Sequence, residues 1–291
     1  MQNRRLSLIH LVIILCLSVF ALSTNSIASQ KDGLLKVYFL DIGQGDVIFI
    51  ESPSGQQVLI DGGPDNKILS KLGEVMSFYD KDIDLVVMTH PDADHASGLV
   101  DVLDRYEIKN IVFSDIINDK ALYQSWKGAV SQEGADVIDP VAGKVIDLGD
   151  GVTLVIISPL ESIVGKTVKE GETNNNSVVV MLKYKDLEVL LTGDLETKGE
   201  RAIMLDGINI DVDVLKVAHH GSKTSTSEEF ISATTPEVAI IQVGAKNRYG
   251  HPTQEVLNRL ENFGIKYYRN DVDGDIELVS DGINYQINAH P

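Results

Sequence analysis

Apolar and polar positions alternate over Leu34–Leu40, and short apolar runs follow at Val47–Ile50 and Gln57–Ile60, the lengths and patterning of strands. Ser52-Pro53-Ser54-Gly55 between the last two is a turn sequence, so those strands form a hairpin. The period lengthens to that of a helix around Ile68–Tyr79, and the apolar run Asp84–Thr89 then reads as a buried strand. A helix start near Gly98 running to Arg105, a strand at Asn110–Phe113 and a helix over Ala121–Glu133 come next. Further strands are predicted at Gly151–Ile157, Ser177–Leu182, Leu187–Leu191, Val212–Ala218 and Glu237–Val243, with a helix over Leu195–Leu205. Thr253–Phe263 carries Val256, Leu257, Leu260 and Phe263 on one face and ends at Gly264. The last alternation, centred on Asp271–Gly274, reads as an edge hairpin.

The two halves echo one another. Ile83–His90 and Val212–His219 are both apolar strands discharging into histidine-rich turns, each preceded by a hairpin and a helix. No Pro- or Ser-rich linker separates them. This order predicts an α/β protein in which two mixed β-sheets pack face to face with helices outside, a four-layer αβ/βα sandwich. Chemistry-bearing residues would gather where the strand ends meet.

Composition narrows the chemistry. Arg4 and Arg5, the apolar stretch Leu6–Leu22 and the small residues Ser26 and Ala28 have the three parts of a secretory signal cleaved after Ala28, which would deliver the protein outside the cytoplasm. The alternative is an uncleaved segment tying it to a membrane, although the stretch is short against the roughly 20 residues of a full span. Residues 29–291 then form a single domain. The one cysteine, Cys16, lies inside the leader, so thiolate metal sites, disulfides and thiol catalysis are excluded from the remainder. The formal charge is −18, and loss of Arg4 and Arg5 makes it −20. That acidity opposes non-specific binding of polyanions such as DNA, without excluding a phosphodiester held by metal. Nothing in the sequence sets the oligomeric state.

Five segments at strand ends carry ligand-type residues. His90-Pro91-Asp92-Ala93-Asp94-His95 places two imidazoles and two carboxylates in six positions, the donors a divalent cation takes. Asp61-Gly62-Gly63 offers a carboxylate beside a tight turn, and Thr173–Ser177 offers the amides of Asn174 and Asn175. Asp194 follows the strand ending at Leu191, where a carboxylate can bridge two ions. His219-His220-Gly221-Ser222-Lys223 gives adjacent histidines pointing in different directions, one for metal and one for a carboxylate or substrate.

These phrases, in this order, resemble the metallo-β-lactamase fold superfamily, and within it the soluble hydrolase domain of ComEC-type competence proteins. The resemblance covers about Val37–Leu278. It rests on Phe39-Leu-Asp41-Ile-Gly43-Gln44-Gly45-Asp46, Leu59–Gly63, Thr89–His95, Leu191–Asp194, Lys216–Lys223 and Asn247-Arg248-Tyr249-Gly250-His251-Pro252. It implies that His90, Asp92, Asp94 and His95 form the first metal motif, Asp194 the bridging carboxylate and His219 the late histidine ligand. Asp94 would orient the attacking water, Lys223 and the Gly221–Ser222 amides would neutralise phosphoryl oxygens, and His251 is a proton donor to the leaving oxygen. Asp61, Asn174, Asn175, His220 and Ser222 are further metal or substrate contacts. The family's middle histidine is absent, with Asn174 or Asn175 near its place. Oxygen donors harden the site, so one or two divalent ions, zinc or manganese, or magnesium, are expected. The implied activity is metal-dependent cleavage of a phosphodiester, nuclease-like. A lactonase or other ester hydrolase acting on a small molecule, and a non-catalytic extracellular metal-binding module, are the alternatives.

Overall fold

Strand alternation decides which core each side chain joins. The computed structural model describes residues 33–169 and 171–291; the predicted leader, with Arg4, Arg5, Cys16, Ser26 and Ala28, lies outside the described residues. In β1 (Leu35–Phe39), β2 (Ile48–Glu51) and β3 (Gln57–Ile60), Val37, Phe39, Ile48, Ile50, Val58 and Ile60 enter one core while Phe49 and Leu59 enter another. These three strands are antiparallel, and β4 (Asp82–Val87), β5 (Glu107–Val112) and β6 (Asp136–Ile138) extend them in parallel.

The second half repeats that plan. Here β7 (Val145–Asp147), β8 (Val152–Ser158), β9 (Val179–Tyr184) and β10 (Leu187–Leu191) are antiparallel. Parallel strands β11 (Val214–Lys216), β12 (Val238–Ile241) and β13 (Lys266–Arg269) follow. Val37, Ile50, Ile60 and Val87 of the first sheet share a dry core with Leu154, Val180, Leu182, Val189 and Leu191 of the second.

Helices cover both outer faces. Ile68, Leu99, Val102 and Trp126, from α1 (Lys67–Val75), α2 (Ala93–Arg105) and α3 (Ala121–Glu133), pack on Phe49, Leu59 and Val86. Ile203 of α4 (Thr197–Asp206) and Phe230 of α5 (Glu228–Thr234) pack on Met181 and Leu190. Val256 and Leu260 of α6 (Gln254–Asn262) pack on Ala239 and Ile241. The result is the expected four-layer αβ/βα sandwich. Among the described residues no helix is long and apolar enough to cross a membrane.

Three expectations need correction. Asp271–Gly274 is not a hairpin turn: α7 (Asn270–Asp273) is a helical turn through which the chain leaves β13 in one sheet for β14 (Asp275–Ser280) in the other. Asn270 anchors that crossing, its amide donating to the Phe39 and Gly274 carbonyls at 3.0 and 2.6 Å. β14 pairs with β1, and the true hairpin partner is β15 (Tyr285–His290). α1 ends at Val75, leaving Phe78 and Tyr79 exposed. Finally, α2 begins at Ala93 and not at Gly98, so Asp94 and His95 stand on its first turn. Gly98 marks a close approach instead, because a Cβ there would sit 2.1 Å from the Gly62 carbonyl oxygen.

Candidate metal centre

Asp61 holds one side of the site. It follows β3 with φ of 60°, is fully buried, and accepts from the Thr89 amide at 2.8 Å, the Thr89 hydroxyl at 2.6 Å and His95 Nδ1 at 2.7 Å. Because the Thr89 hydroxyl gives its proton to Asp61, its oxygen accepts from His90 Nδ1, 3.0 Å away. Across the cleft, His220 Nδ1 is 2.9 Å from the Gln242 carbonyl oxygen, which only accepts. In its neutral form each ring therefore donates from Nδ1 and presents Nε2 as a lone pair, the arrangement that orients metal-binding imidazoles.

The three Nε2 atoms converge on Asp194, which is 3% exposed beyond the end of β10. His95 Nε2 is 3.3 Å from Asp194 Oδ1; His220 Nε2 and His90 Nε2 are 3.6 and 3.8 Å from Oδ2. All three nitrogens and Asp194 Oδ1 are buried without a hydrogen bond. Four orphaned polar atoms in one place would be costly if nothing joined them. Ligands at 2.0–2.2 Å around a tetrahedral ion stand about 3.3–3.6 Å apart, so this spacing fits a divalent cation. His90, His95 and Asp194 present mutually close ligand atoms, and so do Asp94, His95 and His220. Asp92 completes the rim, its Oδ2 3.9 Å from His90 Nε2.

His219 and His220 divide the site differently from the expectation. Both adopt left-handed backbone angles, with φ of 49° and 53°, which turn the second ring inward. His220, 1% exposed, closes the group with Asp94 at 3.3 Å. His219, 23% exposed, reaches the same Asp194 carboxylate at 3.7 Å from the mouth, and its Nδ1 is 3.4 Å from Glu196 Oε1.

Charge is balanced inside this cluster. Burial opposes ionisation of Asp194, but His220 and His95 outweigh it and hold the acid well below the usual carboxylate range. Burial likewise opposes Asp94, yet His220, 3.3 Å away, and the charge of His95 keep it ionised. Burial alone would lower His220 and His95; Asp194 and the other carboxylates reverse this, raising His95 well above its ordinary value and His220 to about 10. Burial, then the charge of His95, pushes His90 down to about 4.

The remaining predicted residues are placed as follows. Asn175 is committed to protein contacts: its Oδ1 accepts from the Gly199 amide at 2.9 Å and its Nδ2 donates to Glu196 at 3.3 Å. Asn174 lies in the same short turn, Asn174–Asn176, its Oδ1 accepting from the Thr173 hydroxyl at 3.4 Å. Ser222 is buried and paired with Thr224 at 3.0 Å, while Lys223 is exposed. His251 stands 5.6 Å from the His219 ring, and burial followed by the charge of His219 pushes it down to about 4, so it is neutral near pH 7.

Sequence reasoning missed Asp46 and Lys216. Asp46, between β1 and β2, is 1% exposed; its Oδ1 is 3.3 Å from His220 Nδ1 and its Oδ2 2.6 Å from Lys216 Nζ. Lys216 is fully buried at the end of β11 and also donates to the Val217 carbonyl at 3.1 Å. Burial, then Lys216 and His220, act on Asp46, and the cations prevail and lower it. A lysine inside the apolar run Val214–Ala218 was the available signal, since an unpaired buried ammonium is untenable.

Comparison with known proteins places the chain in a family. ComE operon protein 3 of Bacillus subtilis (strain 168) is 34% identical over 259 residues, which are 83% of this chain and 32% of that protein. Competence protein ComA of Neisseria gonorrhoeae is 38% identical over 130 residues, 44% of this chain and 18% of that protein. The chain thus spans about a third or less of these relatives' length. In fold it is similar to CmlA, a diiron β-hydroxylase from Streptomyces venezuelae, with a TM-score of 0.50 at 13% identity over 81% of this chain and 52% of that one. The metallo-beta-lactamase superfamily model matches residues 40–245, and the chain belongs to that family.

Proposed function

We propose that the protein is a metal-dependent hydrolase of phosphodiesters. The observation that carries this reading is the convergence of three Nε2 atoms, from His90, His95 and His220, on buried Asp194. A divalent ion bound there supplies acidification of water and neutralisation of charge on the scissile group. The chain's own residues do the rest. Asp94 and Asp92, 30% and 35% exposed, are where the buried cluster meets solvent. Asp94, held ionised, accepts a hydrogen bond from the attacking water and fixes its direction. Lys120 Nζ, 4.0 Å from Asp92 Oδ1, and exposed Lys223 supply positive charge for phosphoryl oxygens, which a neutral lactone does not need. The resemblance to the competence branch supports the same substrate class.

The test is metal removal by chelation, reloading with zinc or manganese, and turnover of a phosphodiester and a lactone side by side. Phosphodiester cleavage that returns with metal is expected. Faster lactone turnover would overturn the substrate class, and a fully loaded protein that turns over neither would make it a binding module.

A further inference from the structure

Above the metal centre a file of aromatic rings runs out to solvent. The His219 ring, beside Asp194, meets His251 at 5.6 Å between centroids, edge to face. His251 stacks on Tyr249 at 5.8 Å with 24° between the planes. Tyr249 is 54% exposed at the end of the file.

The loop that presents Tyr249 is built rather than slack. One side chain, Asn247, ties it together: its amide donates to the Gly244 and His251 carbonyls at 2.8 and 2.7 Å, and its oxygen accepts from the Tyr249 and His251 amides at 3.2 and 3.0 Å. Holding a large aromatic in water gains nothing for folding, so a pre-ordered loop doing so fits an external partner. Its charge departs from that of the chain. Against a net −18, the segment Ala245–Tyr249 carries Lys246 and Arg248, both exposed, and no acid. Arg248 lies 5.3 Å from the Tyr249 ring centre and donates to its hydroxyl at 3.3 Å. An exposed contact of that kind is weak, so an incoming flat group displaces it cheaply and frees the guanidinium for a phosphate.

We propose that Tyr249 is a stacking platform for a nucleobase of a single-stranded nucleic acid whose backbone enters the metal centre, with Arg248 and Lys246 meeting the flanking phosphates. The inference rests on the phosphodiesterase reading and narrows it to substrates with unpaired bases. Every base has a π-face, so the platform reads strandedness and not sequence.

The experiment measures binding, apart from turnover. Metal-loaded protein is titrated into a short labelled oligodeoxyadenylate and into the same backbone bearing abasic sites, with fluorescence anisotropy as the readout and strand integrity checked on a gel. The parent protein should prefer the base-bearing strand. Tyr249→Ala should weaken that complex between about fivefold and a hundredfold, the range for one stacked base, and change the abasic complex less than about twofold. Tyr249→Phe keeps the ring and should retain the preference. Equal affinity of the parent for both strands, no binding of either, or an equal loss on both with Tyr249→Ala would overturn the platform. Cleavage of phosphodiesters without base preference would refute the platform alone; base preference without cleavage of any phosphodiester would refute the hydrolase reading alone.

Discussion

Replacing Lys216 by methionine keeps most of the side-chain volume and removes the cation. Lys216 and Asp46 are 0% and 1% exposed and 2.6 Å apart, so neither charge is hydrated when its partner is lost. Breaking a buried pair from one side costs on the order of 3–5 kcal/mol, because it strands the other charge. In metal-free protein the imidazoliums of His220 and His95, 3.3 and 3.8 Å from Asp46, soften the loss. Metal binding takes their protons, so the loaded protein should show the upper part of that range. The lower part corresponds to roughly 6–12 °C in Tm. Asp46→Asn combined with Lys216→Met should be much less harmful than the sum of the single variants, since no charge is left unpaired. Urea unfolding of both singles and the double, metal-free and loaded, measures each quantity. Additive single and double variants would refute the argument, as would a Lys216→Met protein within about 1 kcal/mol of the parent.

Further consequences follow from the same cluster. Asp61→Asn removes the carboxylate that orients His95 and, through Thr89, His90, and should weaken metal binding about 10- to 100-fold in a chelator competition; unchanged affinity would remove Asp61 from that role. Because His220 is raised from 6.5 to about 10 in the metal-free fold, its stabilising charge is fully present below about pH 6.5 and lost as pH rises through 10. Metal-free stability attributable to it should therefore fall across that window, and a His220→Gln variant should show a shallower decline in urea titrations at several pH values. Metal loading near neutral pH should release protons from His95 and His220, read by calorimetry in buffers of different ionisation enthalpy; no net release would contradict their raised basicity. Gly98→Ala should destabilise by about 1–3 kcal/mol in thermal unfolding, because the new methyl meets the Gly62 and Asp65 carbonyls, backbone that cannot step aside; a neutral result would mean the α2 contact is looser than drawn.

Much of this architecture is legible in the chain because strand alternation and ligand-bearing strand ends are local. Val47–Ile50 assigns its own inward and outward faces, and Thr89–His95 declares its donors wherever it folds. What escaped depends on geometry that no window of residues expresses. Which of His219 and His220 turns inward is decided by two left-handed backbone angles. That Asn175 binds Gly199 and Glu196 depends on where α4 docks. The β13-to-β14 segment looked like one hairpin because alternation is identical on the two sheets it joins.

Charge balance is the deepest of these hidden features. Asp46, Asp61, Asp94 and Asp194 crowd one cleft, and four carboxylates cannot share a low-dielectric site without compensation. Lys216 supplies one permanent charge, and in the metal-free fold protons on His95 and His220 supply two more, offsetting three of the four. A divalent ion bound there would replace those protons and leave the cleft near the same net charge. The lysine therefore belongs to both states, which explains how a fully buried ammonium is sustained beside a site for cations. Its position at the end of β11, three residues before the histidine pair, ties that compensation to the same strand end that delivers the ligands.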